Sequence, residues 1–273
     1  MSEVILGSQG WVYPAWVGPF YPARTTASTM LECYATAFKS VELDSTFHEM
    51  PADPVVRDWR RAVPDEFEFA VRVPRQITHE RRLVDTSVLM KKFLDRISAF
   101  GECLGPVFLQ FPSDFGVDEI SWARFQAFTM SLSKDFRWVI EFRNAAWFKP
   151  ETYQLLSRRN IAVALVDGRW MSREAVAELA AHPTADFAYV RWLGSGKPQA
   201  DYSRPGTERA EDLSWWASIL WPMMPRVTRL YGYFSNSFEG HAPHSARVFQ
   251  RMMGVQPVDP QVLRLDNQEV SRV

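Results

Sequence analysis

The chain has 273 residues, a length that fits one α/β barrel of typical size or two smaller domains. Its hydrophobic content of 47% can fill a large core, which argues against intrinsic disorder. The formal net charge is −1, so the chain as a whole has no basic field that would predict binding to nucleic acid or to an acidic membrane; local basic patches are a separate matter.

Cysteine usage and hydropathy indicate the compartment. The two cysteines, Cys33 and Cys103, form no CxxC pair, so we expect buried thiols in a reducing cytosol and not a disulfide framework or a zinc site. The N-terminus lacks the basic and apolar regions of a secretion signal, and no run of about 18 apolar residues predicts a membrane span. We therefore expect a cytoplasmic protein with no membrane partner.

Short apolar runs alternate along the chain with segments of helical periodicity. The predicted strands are residues 4–6, 40–44, 67–73, 104–111, 137–143, 161–166, 187–192 and 227–234. The predicted helices are residues 28–38, 54–61, 86–100, 118–132, 151–159, 170–181, 208–221 and 241–253. Eight strand–helix units with short connections predict a single (β/α)8 barrel of the TIM type over residues 1–273, with 255–273 a loosely packed tail. An open doubly wound sheet is the alternative.

The stretch from Arg137 to Arg143 indicates where such a barrel would have its functional site. Side chains in a strand alternate between faces, so Glu141 and Arg143 share one face and Ile140 and Phe142 share the other. A buried parallel strand is expected to be apolar on both faces. Charges at its carboxyl end must therefore pair, bind a ligand or reach water.

Charged or polar residues also stand at the ends of other predicted strands, which is where barrels of this type place their sites. The residues expected there are Trp11, Glu42, Asp44, Arg72, His79, Gln110, Glu141, Arg143, Asp167, Arg191 and Asn236. Acidic and arginine side chains would meet at one mouth. The purely structural explanation is an ion-pair network that holds this end of the barrel together.

Several motifs closely resemble the YecE-like family, a domain of unknown function, over nearly the whole chain. They are GSQGW at 7–11, FYP at 20–22, VELDSTF at 41–47, ITH at 77–79, LQFP at 109–112, EFR at 141–143 with Trp147, and YFSN at 233–236. The resemblance implies a TIM-type barrel and implies no activity. The chain departs from the family pattern at Asp44, where Asn is usual, and at Arg72, where Lys is usual.

The leading hypothesis is a hydrolytic enzyme acting on an anionic ligand, phosphorylated or derived from nucleic acid. Glu42 and Glu141 are the candidate acid and base, because two carboxylates across a pocket can take these roles once burial separates their pKa values, and His79 would assist. Arginine suits bidentate contacts with phosphate. The candidate substrate-binding residues are Trp11, Asp44, Arg72, Gln110, Arg143, Trp147, Asp167, Arg191 and Asn236.

Other hypotheses stay open. One is a protein that binds nucleic acid or a phosphometabolite without turnover, helped by a glycine-rich loop at 194–197 where barrels often bind phosphate. Another is a glycoside- or nucleoside-processing enzyme that stacks its ligand on tryptophans, namely Trp11, Trp147, Trp170 and Trp192. No cofactor or metal is predicted, because the arginines at the same mouth disfavour a cation and no compact ligand spacing appears. Pro243 places His241 and His244 at a helix start, where a capping or surface role is preferred to metal binding. The oligomeric state is not predicted.

Overall fold

Parallel strands and intervening helices make up the fold. The computed structural model describes residues 2–194, 199 and 201–261, so residues 195–197 of the glycine-rich loop and 262–273 of the tail lie outside the described part. The strands are β1 (Glu3–Ser8), β2 (Ser40–Leu43), β3 (Glu68–Arg72), β4 (Leu104–Gln110), β5 (Trp138–Glu141), β6 (Ala162–Val163), β7 (Leu165–Asp167), β8 (Phe187–Trp192) and β9 (Arg229–Phe234).

The helices alternate with the strands, except that β6 leads directly into β7 and that α8 and α9 both follow β9. They are α1 (Met30–Ala37), α2 (Asp53–Arg61), α3 (Ser87–Ile97), α4 (Glu119–Ser131), α5 (Pro150–Ser157), α6 (Arg173–Ala181), α7 (Ala210–Met223), α8 (Asn236–Glu239) and α9 (Ala242–Met252). Every predicted strand and helix has a counterpart, which confirms an α/β chain of alternating elements. Among the described helices, none combines the length and the apolar character that a bilayer span requires.

Strand pairing divides the described strands into two parallel sheets, one in the order β1-β9-β8-β7 and one in the order β2-β3-β4-β5-β6. The predicted sixth strand is split, because Ala164 separates β6, which pairs with β5, from β7, which pairs with β8. On the other side, an isolated parallel bridge joins Gln9 to Glu42, and the Gly10 N–H donates to the Glu42 carbonyl at 3.0 Å. The parallel strands therefore do not form one continuous hydrogen-bonded sheet.

Polar side chains connect the two sheets through the interior. The Ser40 hydroxyl of β2 lies 2.6 Å from the Tyr233 hydroxyl of β9. Closer to the amino ends of the strands, Glu68 of β3 accepts hydrogen bonds from Tyr231 at 2.9 Å and from Arg229 at 2.5 Å. Because buried polar groups are costly without partners, these bonds fix how the two sheets face each other.

At Gly7, β1 lies close to the backbone of β2. A Cβ atom at this position would lie 2.1 Å from the Ser40 carbonyl oxygen and 2.8 Å from the Tyr34 hydroxyl. The carbonyl belongs to the backbone of a buried strand, so it cannot move aside as the end of a flexible side chain would.

We expect Gly7→Ala to lower the free energy of unfolding by about 1–3 kcal/mol or more, because the added methyl group overlaps the β2 backbone. Gly116→Ala is the matched control, since its Cβ would meet only Asn144 Nδ2, at 3.9 Å. Urea unfolding followed by circular dichroism measures both. Equal stability of the two variants would show that β1 and β2 do not pack as closely as described.

Candidate functional site

Arg191, near the end of β8, is the centre of a buried ionic cluster. Its Nε donates to both carboxylate oxygens of Glu42, at 3.2 and 2.9 Å, and its Nη2 donates to Glu42 Oε1 at 2.7 Å. Its Nη1 donates to Glu141 Oε2 at 2.6 Å. Arg191 is 2% exposed and both glutamates are fully buried. A single guanidinium therefore joins β2, β5 and β8 away from water.

A second line of contacts runs from Glu141 towards solvent. Gln110 Nε2 donates to Glu141 Oε1 at 2.5 Å, and Gln110 Oε1 accepts a hydrogen bond from Arg72. The other terminal nitrogen of Arg72 donates to Asp44, whose side chain is 45% exposed. The cluster thus extends from fully buried Arg191 to a half-exposed carboxylate at the carboxyl ends of the strands.

Arg143 lies at the rim of this cluster. Its Nε donates to Glu141 Oε1 at 3.0 Å, and its side chain is 29% exposed. Its guanidinium carbon lies 5.6 Å from the centre of the Trp170 ring. In the described part of the chain, neither terminal nitrogen of Arg143 has a hydrogen-bond or ion-pair partner. Arg143 therefore offers donors to a ligand while its Nε is held in place.

His79 lies on the same side, in a short helical turn after β3. Its ring packs edge-on against Phe47, with centroids 4.9 Å apart, and Phe47 also lies 3.6 Å below the Arg72 guanidinium. Burial, together with the positive charges of Arg72 and Arg143, lowers the pKa of His79 to about 4. The imidazole is therefore neutral at pH 7 and can accept a hydrogen bond.

Two carboxylates of the site, Glu141 and Asp44, are held ionised. Burial alone raises the pKa of Glu141, but Arg191, Arg143 and Arg72 outweigh it and bring the pKa to about 2. In Asp44, too, desolvation raises the pKa and Arg72 and Arg191 outweigh it, so the pKa is lowered. Neither group holds a proton to donate at neutral pH. Both act as charged partners that hold the arginines in place.

Two of the predicted ligand-stacking tryptophans pack away from this cluster. Trp147 is fully buried among aromatic rings, and its indole N–H donates to the Phe115 carbonyl at 2.7 Å. Trp192 is also fully buried, stacked on Phe234 with centroids 4.1 Å apart. Trp11 is 7% exposed and packs edge-on against a tryptophan of α2. Of the four, Trp170 alone has a partly exposed side chain.

Asp167 and Asn236 are engaged by neighbouring elements. Asp167 accepts hydrogen bonds from Arg209 and from the indole of Trp216, each at 3.0 Å, and burial raises its pKa. Asn236 Oδ1 accepts from the Trp16 indole at 3.2 Å and from the Ala242 N–H at 3.0 Å. The structure thus brings together Glu42, Asp44, Arg72, His79, Gln110, Glu141, Arg143 and Arg191 from the predicted set.

Sequence reasoning missed two aromatic members of the site. The Tyr189 hydroxyl donates to Glu42 Oε2 at 2.6 Å. Strand parity was the signal for it, because residues 189 and 191 point to the same face of β8. Phe47 contacts both Arg72 and His79, and it stands at the end of the VELDSTF motif. Both residues shape the environment of charged groups and carry no charge themselves.

The residues considered for metal binding have other contacts. His241 Nδ1 donates to the Tyr202 carbonyl at 2.7 Å, and His244 Nδ1 lies 3.4 Å from Glu239. In residues 2–194, 199 and 201–261, no group of three or more His, Cys, Asp or Glu side chains is arranged to hold a metal ion. Cys33 and Cys103 are buried free thiols.

Comparison with known proteins gives a consistent result. A family model described as "Protein of unknown function DUF72" matches residues 5–268. The chain is 31% identical over 173 residues to the UPF0759 protein YecE of Escherichia coli (strain K12), spanning 61% of this chain and 60% of YecE. It is 27% identical over 146 residues to the UPF0759 protein YunF of Bacillus subtilis (strain 168), spanning 49% of each.

Two solved structures share the fold. A DUF72 family protein from Thermotoga maritima MSB8 superposes with a TM-score of 0.78 at 24% identity, covering 92% of this chain and 99% of that one. A DUF72 family protein from Enterococcus faecalis V583 superposes with a TM-score of 0.73 at 19% identity, covering 94% of this chain and 99% of that one. At these identities the similarity concerns the fold alone.

Arg191→Met is expected to lower the free energy of unfolding by about 3–5 kcal/mol at pH 7, because it leaves Glu42 and Glu141 buried without a counter-charge. Arg143→Met removes the same charge from a partly exposed position and is expected to cost less than about 1 kcal/mol. Urea unfolding compares the two. Equal losses would show that Arg191 does not compensate the buried glutamates.

The depressed pKa of His79 makes stability depend on pH. The folded state holds this group at about 4 and its ordinary value is 6.5, so the unfolded state binds more protons between these values. The resulting stability is fully present above about pH 6.5 and is lost as pH falls towards 4. His79→Gln should flatten the change in unfolding free energy over this window, and His182→Gln, an exposed control, should not. An NMR titration of His79 with a midpoint near 6.5 would contradict the assignment.

Proposed function

The chain belongs to the DUF72 family, as its YecE-like motifs predicted, and because this is a family of unknown function we propose one from the site itself. We propose that the protein binds a small anionic ligand, such as a phosphate ester, at the carboxyl ends of its strands and hydrolyses it. The observation that carries the proposal is the Arg143 guanidinium, which is anchored through Nε alone and whose charge helps to lower the pKa of the neutral His79.

The proposal includes the architecture of the site: the two sheets form the wall of one (β/α)8 barrel. The Ala164 N–H donates to the Ile140 carbonyl at 2.9 Å, so the chain continues from β6 to β7 without leaving the strand direction. The bridge of Gln9 to Glu42 supports closure between β1 and β2. In such a barrel the Arg191 cluster would fill the interior just below the ligand.

Arg143 is the group best placed to hold an anion. Charge-assisted hydrogen bonds from a guanidinium to phosphate are short and directional, and a fork of two donors fixes the orientation of the ligand. Glu141 binds the Nε side of Arg143, which leaves the two terminal nitrogens as that fork. Arg72 adds positive charge close by, and Asp44, half-exposed, can accept a hydrogen bond from the uncharged part of the ligand.

His79 is the candidate general base in this proposal. A pKa of about 4 makes the free imidazole a weak base, because Arg72 and Arg143 disfavour its protonated form. A bound dianion offsets these charges and raises the pKa of His79 towards neutrality, where an imidazole is most effective. Glu141, permanently ionised, then serves as a positioning residue for Arg143 and Arg191, and Glu42 does so for Arg191.

Binding without turnover is the second candidate. It is favoured by the low pKa of Glu141, which removes one proton donor from the site. Either a phosphometabolite or a nucleic-acid phosphate could bind to the same arginine. Glycoside chemistry is less well supported, because Trp11, Trp147 and Trp192 pack in the core.

Titration calorimetry with inorganic pyrophosphate at low salt tests the binding step. Arg143→Ala is expected to weaken the affinity of this site roughly tenfold or more, since one charged fork is lost. Arg57→Ala, the same charge change at an exposed position of α2, should leave it unchanged. Equal effects of the two variants would refute the site.

Turnover is tested separately with a panel of chromogenic phosphate monoesters and diesters. We expect His79→Gln to retain binding and to lose activity by roughly a hundredfold or more, the usual scale of general base catalysis. Full activity of His79→Gln would remove the base from the mechanism. Binding that depends on Arg143, with no product from any ester, would leave the second candidate as the function.

A further inference from the structure

A small basic cleft lies outside the cluster centred on Arg191. Its volume is about 260 Å³, and it lies between Phe20, the segment around Arg204 and one face of α9. The charged or ionisable side chains that line it are Arg204, His241, His244, Arg247 and Arg251. Within the described part of the chain, no carboxylate lines it. We call the set of Phe20, Arg204, His244, Arg247 and Arg251 the basic cleft.

Helix α9 places three of these side chains in a row. Residues 244, 247 and 251 are three and four positions apart, so they lie on one face of the helix. Ala246 and Phe249, fully buried, hold another face against the core. The basic row is therefore carried by a rigid, packed element, which suits a site that must keep its donors in fixed positions.

The present partners of these arginines are weak competitors. Arg247 pairs with Asp259, whose side chain is 83% exposed. Arg204 lies 3.5 Å from Asp201; the side chain of Arg204 is 81% exposed and that of Asp201 is about half exposed. Arg251 has no ion-pair partner among the residues that the structure describes. Because exposed ion pairs contribute little, a ligand with two negative charges can displace these carboxylates.

We propose that the basic cleft binds a small organic phosphate monoester. The guanidinium groups supply the forked donors that phosphate prefers. Phe20, 6% exposed, and the prolines beside it give the cleft an apolar wall for the organic part. None of these residues belongs to the Arg191 cluster, so this site is separate from the one at the strand ends.

The test uses phenyl phosphate as the probe and calorimetry at low salt, in the background of Arg143→Ala so that the first site is weakened. In this background phenyl phosphate is expected to bind. Adding Arg247→Ala and Arg251→Ala should weaken binding roughly tenfold or more. The control adds Arg57→Ala and Arg61→Ala, exposed arginines with the same spacing on α2, and should leave binding unchanged. Phenol, which has no charge, should not bind.

Three results would overturn the proposal. They are no binding of phenyl phosphate in the Arg143→Ala background, equal losses in the test and control variants, and binding of phenol as strong as that of phenyl phosphate. Circular dichroism melting checks that each variant is folded, and Arg251→Ala alone, at an exposed position near the end of α9, provides a milder variant if the triple variant is unstable. The effect of Arg143→Ala on pyrophosphate binding tests the first site independently of these results.

Discussion

The sharing of one guanidinium by two buried carboxylates is the constraint on which this structure depends. Arg191 is bound by Glu42 on one side and by Glu141 on the other, with all three side chains away from water. A buried charge without a partner is far more costly than a paired one. Arg191 belongs to the sheet that contains β8, and the two glutamates belong to the sheet that contains β2 and β5. The cluster therefore links the two sheets and also places charged groups at the ends of their strands.

Strand parity explains why part of the site was predictable. Glu42, Glu141 and Arg191 stand at the ends of short apolar runs, where a charge in a buried position requires a partner. The sequence therefore indicated which residues would meet. It could not indicate that Trp147 turns into an aromatic core, or that Asp167 pairs with Arg209 and Trp216, because those partners come from elements that strand patterns do not describe.

The fold, too, could be predicted only in part. Hydrophobic periodicity located each strand and helix, yet it gave the sixth strand as one segment at 161–166. The division at Ala164 arises because β6 pairs with β5 and β7 pairs with β8, a choice made by neighbours and not by local sequence. Relatives with 24% and 19% identity keep the fold, so the fold alone does not distinguish one activity from another.

The charges of the site suggest how binding and protonation are connected. Glu42, Asp44 and Glu141 balance Arg72, Arg143 and Arg191, so a bound anion makes the site negative unless a proton enters with it. Glu141 is a poor acceptor, since three arginines hold its pKa at about 2. His79 is neutral at pH 7, and its burial and the charges of Arg72 and Arg143 lower its pKa further, to about 4. In the function proposed above, an anion that offsets the charges of those two arginines raises the pKa of His79, so that ligand binding itself prepares the proposed base.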